Sequence, residues 1–145
     1  MLVYDQTVRS EYRPDARRRL DRQLDPLRRS GDLFAPPPNG WLRAIREALG
    51  MTAAQLGKRL SVSQQRALAI EQAETSGSIT LASLARAADA LDCELVYAVV
   101  PRTSLERLVQ DRAAVLAQSR GMADADEKLL LHLVAHSGSK LWEQA

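Results

Sequence analysis

Between residues 41 and 92, apolar side chains recur every three to four positions, which is the spacing that places them on one face of an α-helix. This pattern predicts four helices, within "WLRAIREALG", "TAAQLGKRL", "SQQRALAIEQAE" and "TLASLARAADAL". Thr52 with Gln55 three residues later is the pattern of a capping box, and Ser63 and Thr80 are the predicted N-caps of the next two helices. We therefore expect a compact helical domain over residues 41–92.

Residues 1–40 have a less regular pattern. Leucines recur at helical spacing between Pro14 and Ser30, and a proline followed by an acidic residue suits a helix start. Pro26 removes an internal hydrogen bond, so we expect this helix to be kinked or short. The stretch "APPPNG" is a stiff spacer. We therefore predict an N-terminal arm with a short helix.

The pattern changes in "CELVYAVVP", where β-branched and aromatic residues predict a strand from Glu94 to Val100. A lone strand leaves both edges unpaired, so it needs a partner, either the arm around Leu2–Tyr4 or a second subunit. Helical spacing returns in "SLERLVQDRAAVLAQSR", capped by Ser104, and in "KLLLHLVAH". The predicted fold class is mainly α: a domain of the five-helix type, of which the pattern predicts four helices at 41–92, with a short strand and a C-terminal helical extension at 93–145.

The composition is consistent with a helical fold but does not show whether the protein binds nucleic acid. The chain has 145 residues, of which 46% are hydrophobic and only 4% aromatic, so its core would be built from Leu, Ala and Val. A net charge of +2 permits nucleic-acid binding without demonstrating it, because local patches matter more than totals.

Targeting and redox signals are few. The single cysteine, Cys93, excludes an internal disulfide framework. The N-terminal residues lack the basic and apolar regions of a signal peptide, and the apolar runs are too short to span a bilayer. We expect a cytoplasmic protein without a membrane partner.

The third predicted helix begins with unusual side chains. Gln64, Gln65 and Arg66 fall in its first turn, where the helix dipole favours acidic residues. Two helices joined by "LSVS" have the arrangement of a helix-turn-helix, whose second helix enters the major groove of DNA. Glutamine can pair with adenine, arginine with guanine or a phosphate, and an alanine such as Ala69 can contact a thymine methyl. These four residues are the predicted base-contacting set.

Residues 41 to 91 resemble the Cro/phage-repressor (XRE-like) helix-turn-helix family, in "IREALGMT", "AQLGKRLSVSQQ", Glu71 and "LASLARAADAL". The resemblance implies an ion pair between Arg46 and Glu71. It also implies phosphate contacts near the second helix and in the loop after the third. With the nearby basic and capping residues, the expected phosphate set is Arg43, Thr52, Ala53, Lys58, Arg59, Ser63, Thr75, Ser76 and Ser78. Because "QAE" replaces the usual glycine after the glutamate, we expect a different path for that loop.

Most of the chain also resembles the family called mobile mystery protein A, in "GWLRAIREALGMT", "ITLASLARAADALDCELVYAVVPR" and the helix start "SLERLV". Members are usually described as neighbours of a Fic-domain protein, which implies an antitoxin-like role. The inhibitory motif common for Fic proteins, Ser/Thr-x-x-x-Glu followed by Gly or Asn, does not occur in this sequence.

Other candidate sites carry weaker signals. His132 and His136 have the spacing of a zinc pair, but with no further histidine we interpret them as a surface or interface pair and predict no metal. The acidic residues after Gly121 are interpreted as a helix start stabilised by the helix dipole. The arginines of residues 17–22 form either a solvated helix face, which we favour, or a contact to the DNA backbone.

The leading hypothesis is a sequence-specific transcriptional regulator that binds double-stranded DNA as a homodimer and represses its own operon. The alternative is an antitoxin that binds a neighbour-encoded Fic-type toxin, and one protein can do both. An enzymatic function is the least favoured hypothesis. Cys93 has no histidine at the spacing of a known catalytic motif, and the sequence has no phosphate-binding glycine loop. No cofactor is expected. The predicted dimer or partner interface comprises Leu95, Val96, Tyr97, Val99, Leu105 and Leu108.

Overall fold

The computed structural model describes residues 13–122 and 124–143, and these residues are mainly helical. The α-helices are α1 (Pro14–Arg29), α2 (Gly40–Ala48), α3 (Ala53–Leu60), α4 (Gln64–Ser76), α5 (Leu81–Ala90), α6 (Leu105–Ser119) and α7 (Glu127–Ser137). Short 3-10 helices cover Gly31–Phe34 and Gly138–Trp142. None of the described helices is long and apolar enough to cross a bilayer.

The chain divides into two compact units, and one of them is discontinuous in sequence. Asp32–Val99 forms a continuous unit that contains α2 to α5. The other unit combines the chain up to Gly31 with the chain from Val100 onward, so α1 belongs with α6 and α7. The hydrophobic pattern did not indicate this grouping of the two ends.

The continuous unit has a core of leucine and alanine, as the composition predicted. Its buried members are Leu42, Leu56, Ala67, Ala87 and Leu91. The alanines leave little side-chain volume between the helices, so the helices can pack closely around Leu56, which is fully buried.

The predicted helix starts of this unit are confirmed. Thr52 and Gln55 form the full capping box of α3, in which each side chain bonds the other residue's backbone N–H. Ser63 accepts the N–H of Arg66 at the start of α4, and Thr80 caps α5 in the same way. These caps define where α3, α4 and α5 begin.

The discontinuous unit is built on α6 and α7. Val109, Ala113 and Ala117 lie on one face of α6 and pack with Leu133 and Val134 of α7. The predicted cap of α6 is confirmed, since Ser104 accepts the N–H of Arg107 at 3.1 Å. At the start of α7 the side chain of Asp126 accepts the N–H of Leu129 at 2.8 Å.

Polar contacts join α1 to the start of α6. The carboxylate of Asp21 accepts the backbone N–H groups of Leu105, at 2.6 Å, and Glu106, at 3.2 Å. Arg17 donates from Nε to Glu106 at 3.0 Å.

Helix α1 continues past Pro26 to Arg29, so the expectation of a short helix was wrong. A proline in the last turn removes only one of the hydrogen bonds of the helix.

The predicted strand from Glu94 to Val100 is wrong for the described residues, among which no strand occurs. A strand requires a hydrogen-bonded ladder, and this segment makes no backbone hydrogen bond to described residues. Its apolar side chains are instead largely exposed, at 78% for Val96, 70% for Tyr97 and 86% for Val99. The arm proposed as its partner, around Leu2–Tyr4, lies outside the described residues.

Candidate nucleic-acid interface

The turn between α3 and α4 is short and closed by backbone hydrogen bonds. Ser61 ends α3 in the left-handed conformation, with φ of 56°. The N–H of Val62 then donates to the carbonyl of Gly57 at 2.8 Å, and Ser63 begins α4 as its N-cap. The two helices of the predicted helix-turn-helix are thus held by their own backbone.

Gly57 is required for this turn because the backbone passes close to its Cα. A Cβ at this position would lie 2.8 Å from the carbonyl oxygen of Val62 and 3.0 Å from that of Ser63. Residue 57 was not among the predicted site residues. An isolated glycine inside a helical pattern is the sequence signal for such a close approach.

Helix α4 has one buried and one exposed face. Ala67 and Glu71 are buried, whereas the opposite face is exposed. The exposed face, which we call the outward face, comprises Gln64, Gln65, Leu68, Ala69 and Gln72. The structure therefore places three of the four predicted base-contacting residues together. Leu68 and Gln72 share their face at i, i+3 and i, i+4 spacing but were not predicted.

Arg66 lies at the edge of the outward face. It is exposed, but its neighbour one turn later is Ile70, which packs against the core of this unit. Arg66 makes none of the ion pairs found among the described residues. This position suits a phosphate contact at the side of the groove better than a contact to a base in its centre.

Arg46 of α2 and Glu71 of α4 form the ion pair that the family resemblance implied. They are only 7% and 4% exposed. Arg46 donates from Nε to one carboxylate oxygen of Glu71 and from Nη2 to the other, the latter at 3.2 Å. Its Nη1 donates to the carbonyl of Met51 at 2.9 Å. The hydrogen bond to Glu71 raises the pKa of Arg46 above its usual value despite burial, so Arg46 stays charged.

A second glutamate of α4 holds the start of α2. Glu74 accepts the backbone N–H of Trp41 at 2.7 Å and that of Leu42 at 2.9 Å. Because α4 runs to Ser76, the stretch "QAE" is helical and the loop begins only at Gly77, while the change of loop path relative to the family stays a prediction. Residues 33 positions apart carry no local signal for such a contact, so Glu74 was not predicted.

The predicted phosphate-contacting residues on and next to α3 differ in what they can offer a phosphate. The hydroxyl of Thr52 accepts the N–H of Gln55 at 3.1 Å. The side chain of Ala53 is buried, so this residue can offer a phosphate only its backbone N–H. That N–H and the N–H of Ala54 make no hydrogen bond to described residues, as expected in a first helical turn. Lys58 is exposed and makes none of the ion pairs among the described residues.

Two predicted phosphate-contacting arginines have partners within the protein. Arg43 donates from Nε to Glu47 at 2.8 Å, and this hydrogen bond lowers the pKa of the Glu47 carboxyl. Arg59 donates from Nη1 to the carbonyl of Ala90 at 3.0 Å and to Asp92 at 3.2 Å, at the end of α5. These contacts leave Lys58 and Arg66 as better candidates for binding phosphates.

The hydroxyls after α4 bond to their own segment. Thr75 donates to the carbonyl of Glu71 at 3.2 Å and Ser76 to that of Ala73 at 3.3 Å. The hydroxyls of Ser76 and Ser78 are 3.0 Å apart. All three are exposed, so they remain accessible to a phosphate.

The remaining predicted site residues lie outside the helix-turn-helix. The rings of His132 and His136 stack with centroids 4.0 Å apart. The described residues hold no group of three His, Cys, Asp or Glu side chains that could bind a metal ion. Of the predicted interface residues on α6, Leu105 is half-buried and Leu108 is exposed. Leu95, at the start of the exposed segment, is also half-buried.

Comparison with known proteins gives one match. Neither the curated proteins nor the solved structures include a match to this chain. The family model described as helix-turn-helix matches residues 42–97, a range that contains most of α2 and all of α3, α4 and α5. Residues 42–97 of this protein are therefore similar to the helix-turn-helix family.

Proposed function

We propose that this protein is a sequence-specific transcriptional regulator that represses its own operon, and that it acts by binding DNA and not by catalysis. The observation that carries the proposal is the outward face of α4, within the range that matches the helix-turn-helix family. Gln64 and Gln65 are exposed in the first turn of this helix. This is the part of a helix-turn-helix that contacts base edges.

In the proposed complex, α4 lies in the major groove. The amide of Gln64 or Gln65 forms two hydrogen bonds with an adenine, through N6 and N7. Lys58 and Arg66 bind phosphates on either side, and the free N–H groups at the start of α3 bind another. The contacts of Glu71 and Glu74 with α2 support this arrangement, because they fix α4 against the rest of the domain.

We propose further that the protein binds as a homodimer. One recognition helix covers only a half-site, and proteins of this type bind two half-sites about one helical turn apart. The exposed segment from Val96 to Val99 is the proposed contact. Sedimentation at micromolar concentration tests this, with Val96→Asp and Val99→Asp expected to give monomers. A wild-type protein that stays monomeric with and without DNA would exclude the homodimer.

The direct test of the proposed function is a footprint of the purified protein on the DNA upstream of its own gene. We expect a protected region with two related half-sites, and the same protein with both Gln64 and Gln65 replaced by alanine should give none. Absence of protection would exclude repression of its own operon. A selection from a randomised DNA duplex library would then show whether any sequence is bound.

A second proposed role is that of an antitoxin for a Fic-type toxin. Its support is the resemblance of "ITLASLARAADALDCELVYAVVPR" to mobile mystery protein A, together with the exposure of Val96, Tyr97 and Val99 in the same stretch. Co-expression with any Fic-domain protein encoded next to this gene tests it. Stable co-purification and loss of the toxin's activity are the expected results, and independent purification of the two proteins would contradict them.

A further inference from the structure

Leu68 occupies the middle of the outward face of α4. It lies four residues after Gln64, three after Gln65 and four before Gln72, so its side chain shares one helix face with three glutamines. Its side chain is 43% exposed. A surface helix normally places polar residues at the centre of its outward face, so an exposed leucine among three amides offers an apolar surface to a partner there.

The major groove of DNA contains one apolar group at a defined position, the C5 methyl group of thymine. The base edges in this groove present hydrogen-bond donors and acceptors, and thymine adds its C5 methyl group. Glutamine side chains pair best with adenine, whose partner is thymine. An apolar side chain between glutamines therefore matches a short run of A·T pairs.

We propose that Leu68 is a specificity-determining residue that contacts the C5 methyl group of a thymine next to the bases bound by Gln64 and Gln65. The proposal rests on the proposed function and deepens it, since it names a base that the domain selects. The smaller Ala69, also on the outward face, reaches less far from the helix axis. Leu68 is thus the main apolar contact of α4.

The chain offers a matched control for this residue. Leu81 is 52% exposed and begins α5 in the same unit, but it is not on α4. Leu68→Ala and Leu81→Ala remove the same atoms from comparably exposed positions. Both variants should therefore unfold at nearly the same temperature as the wild-type protein.

The test begins with selection from a randomised DNA duplex library by the wild-type protein, Leu68→Ala and Leu81→Ala. We expect the wild type and Leu81→Ala to enrich the same sequence. Leu68→Ala should lose the preference for thymine at one position per half-site and keep the preference for adenine. Failure of the wild type to enrich any sequence would overturn the proposed function itself.

The decisive measurement replaces that thymine with deoxyuridine, which removes only the methyl group. The wild type should lose about fourfold in affinity per half-site, the effect of one buried methyl group, whereas Leu68→Ala should lose none. Leu68→Met, which keeps an apolar side chain, should retain the discrimination. An equal loss of affinity for wild type and Leu68→Ala would overturn the role of Leu68 while leaving DNA binding by the domain intact.

Discussion

The side chains of α4 divide into two groups according to the face of the helix that they occupy. Gln64 and Gln65 are exposed and form no side-chain hydrogen bonds among the described residues, so their amides are available to bases. Glu71 and Glu74 point to the other side and bind groups of α2. Substitutions in the first group should change DNA recognition, and substitutions in the second should change the stability of the domain.

Gln65→Ala should weaken binding to the selected DNA sequence by about 1–3 kcal/mol, because it removes two hydrogen bonds to one base. Binding to random DNA should hardly change, since phosphate contacts dominate there. A binding titration on both kinds of DNA measures the difference. Gln118→Ala, which alters an exposed glutamine of α6, is the control and should affect neither; equal weakening of both DNAs by Gln65→Ala would refute a base contact.

Arg46→Ala should lower the free energy of unfolding by about 3–5 kcal/mol, because it leaves the buried carboxylate of Glu71 without its partner. Arg43→Ala is a matched control on the same helix. It breaks only the exposed pair with Glu47, so its loss of stability should be much smaller than that of Arg46→Ala, because water screens an exposed pair. Denaturant unfolding measures both, and an Arg46→Ala protein as stable as the Arg43→Ala protein would show that the pair contributes nothing.

At the scale of whole helices, the helix starts and the turn between α3 and α4 determine where each helix lies. The starts of α3, α4 and α5 have local caps, and the turn depends on a close approach at Gly57. Glu74 and Asp21 add caps that come from distant helices, to α2 and α6 respectively. The elements are therefore placed by backbone N–H groups as well as by the apolar core.

Gly57→Ala should destabilise the domain by about 1–3 kcal/mol, because the added methyl overlaps the backbone of the turn and forces α3 and α4 apart. DNA binding should weaken together with stability. Gly31→Ala is the control, since a Cβ there meets no atom within 4 Å. Thermal unfolding measures both variants, and a Gly57→Ala protein that unfolds like the control would mean that the turn tolerates a side chain.

Local signals explain which elements were predictable. The caps at Thr52, Ser63 and Thr80 act within three residues, so they could be predicted from short patterns. The contacts of Asp21 with the start of α6 join residues 84 positions apart, and such pairings depend on tertiary packing. The predicted strand failed for a related reason: β-branched residues favour extended backbone, but a strand forms only with a partner.

The candidate site was predictable in part. The first-turn position of Gln64 and Gln65 followed from the Ser63 cap, and the ion pair of Arg46 with Glu71 followed from the family resemblance. Leu68 and Gln72 were not predicted, although helical spacing places them on the same face as Gln64, Gln65 and Ala69. The internal partners of Arg43 and Arg59 could not be predicted, since they depend on side-chain positions in the folded domain.

For the whole molecule, the total charge says little about DNA binding. Residues 32–99 carry about as many acidic as basic side chains, and several of the basic ones are paired with acids. Attraction to DNA must then come from a few unpaired cations close to the outward face of α4. Lys58 and Arg66 have the required exposure.

Lys58→Ala should reduce the salt dependence of DNA binding. Each phosphate contact contributes about −0.9 to the slope of log affinity against log salt concentration, so removing one contact makes the slope shallower by about that amount. Lys128→Ala, which removes an exposed lysine of α7, should leave the slope unchanged. Affinity measured at several salt concentrations tests this, and identical slopes for both variants would exclude Lys58 as a phosphate contact.

The grouping of α1 with α6 and α7 affects the order in which the parts of the chain fold during synthesis. The ribosome synthesises α1 before α6. Asp21 can therefore accept the N–H groups of Leu105 and Glu106 only after 84 further residues have been added. Asp32–Val99 is complete before then, and domains fold as units during synthesis. We therefore expect residues 32–99 to fold on the nascent chain before α1 contacts α6.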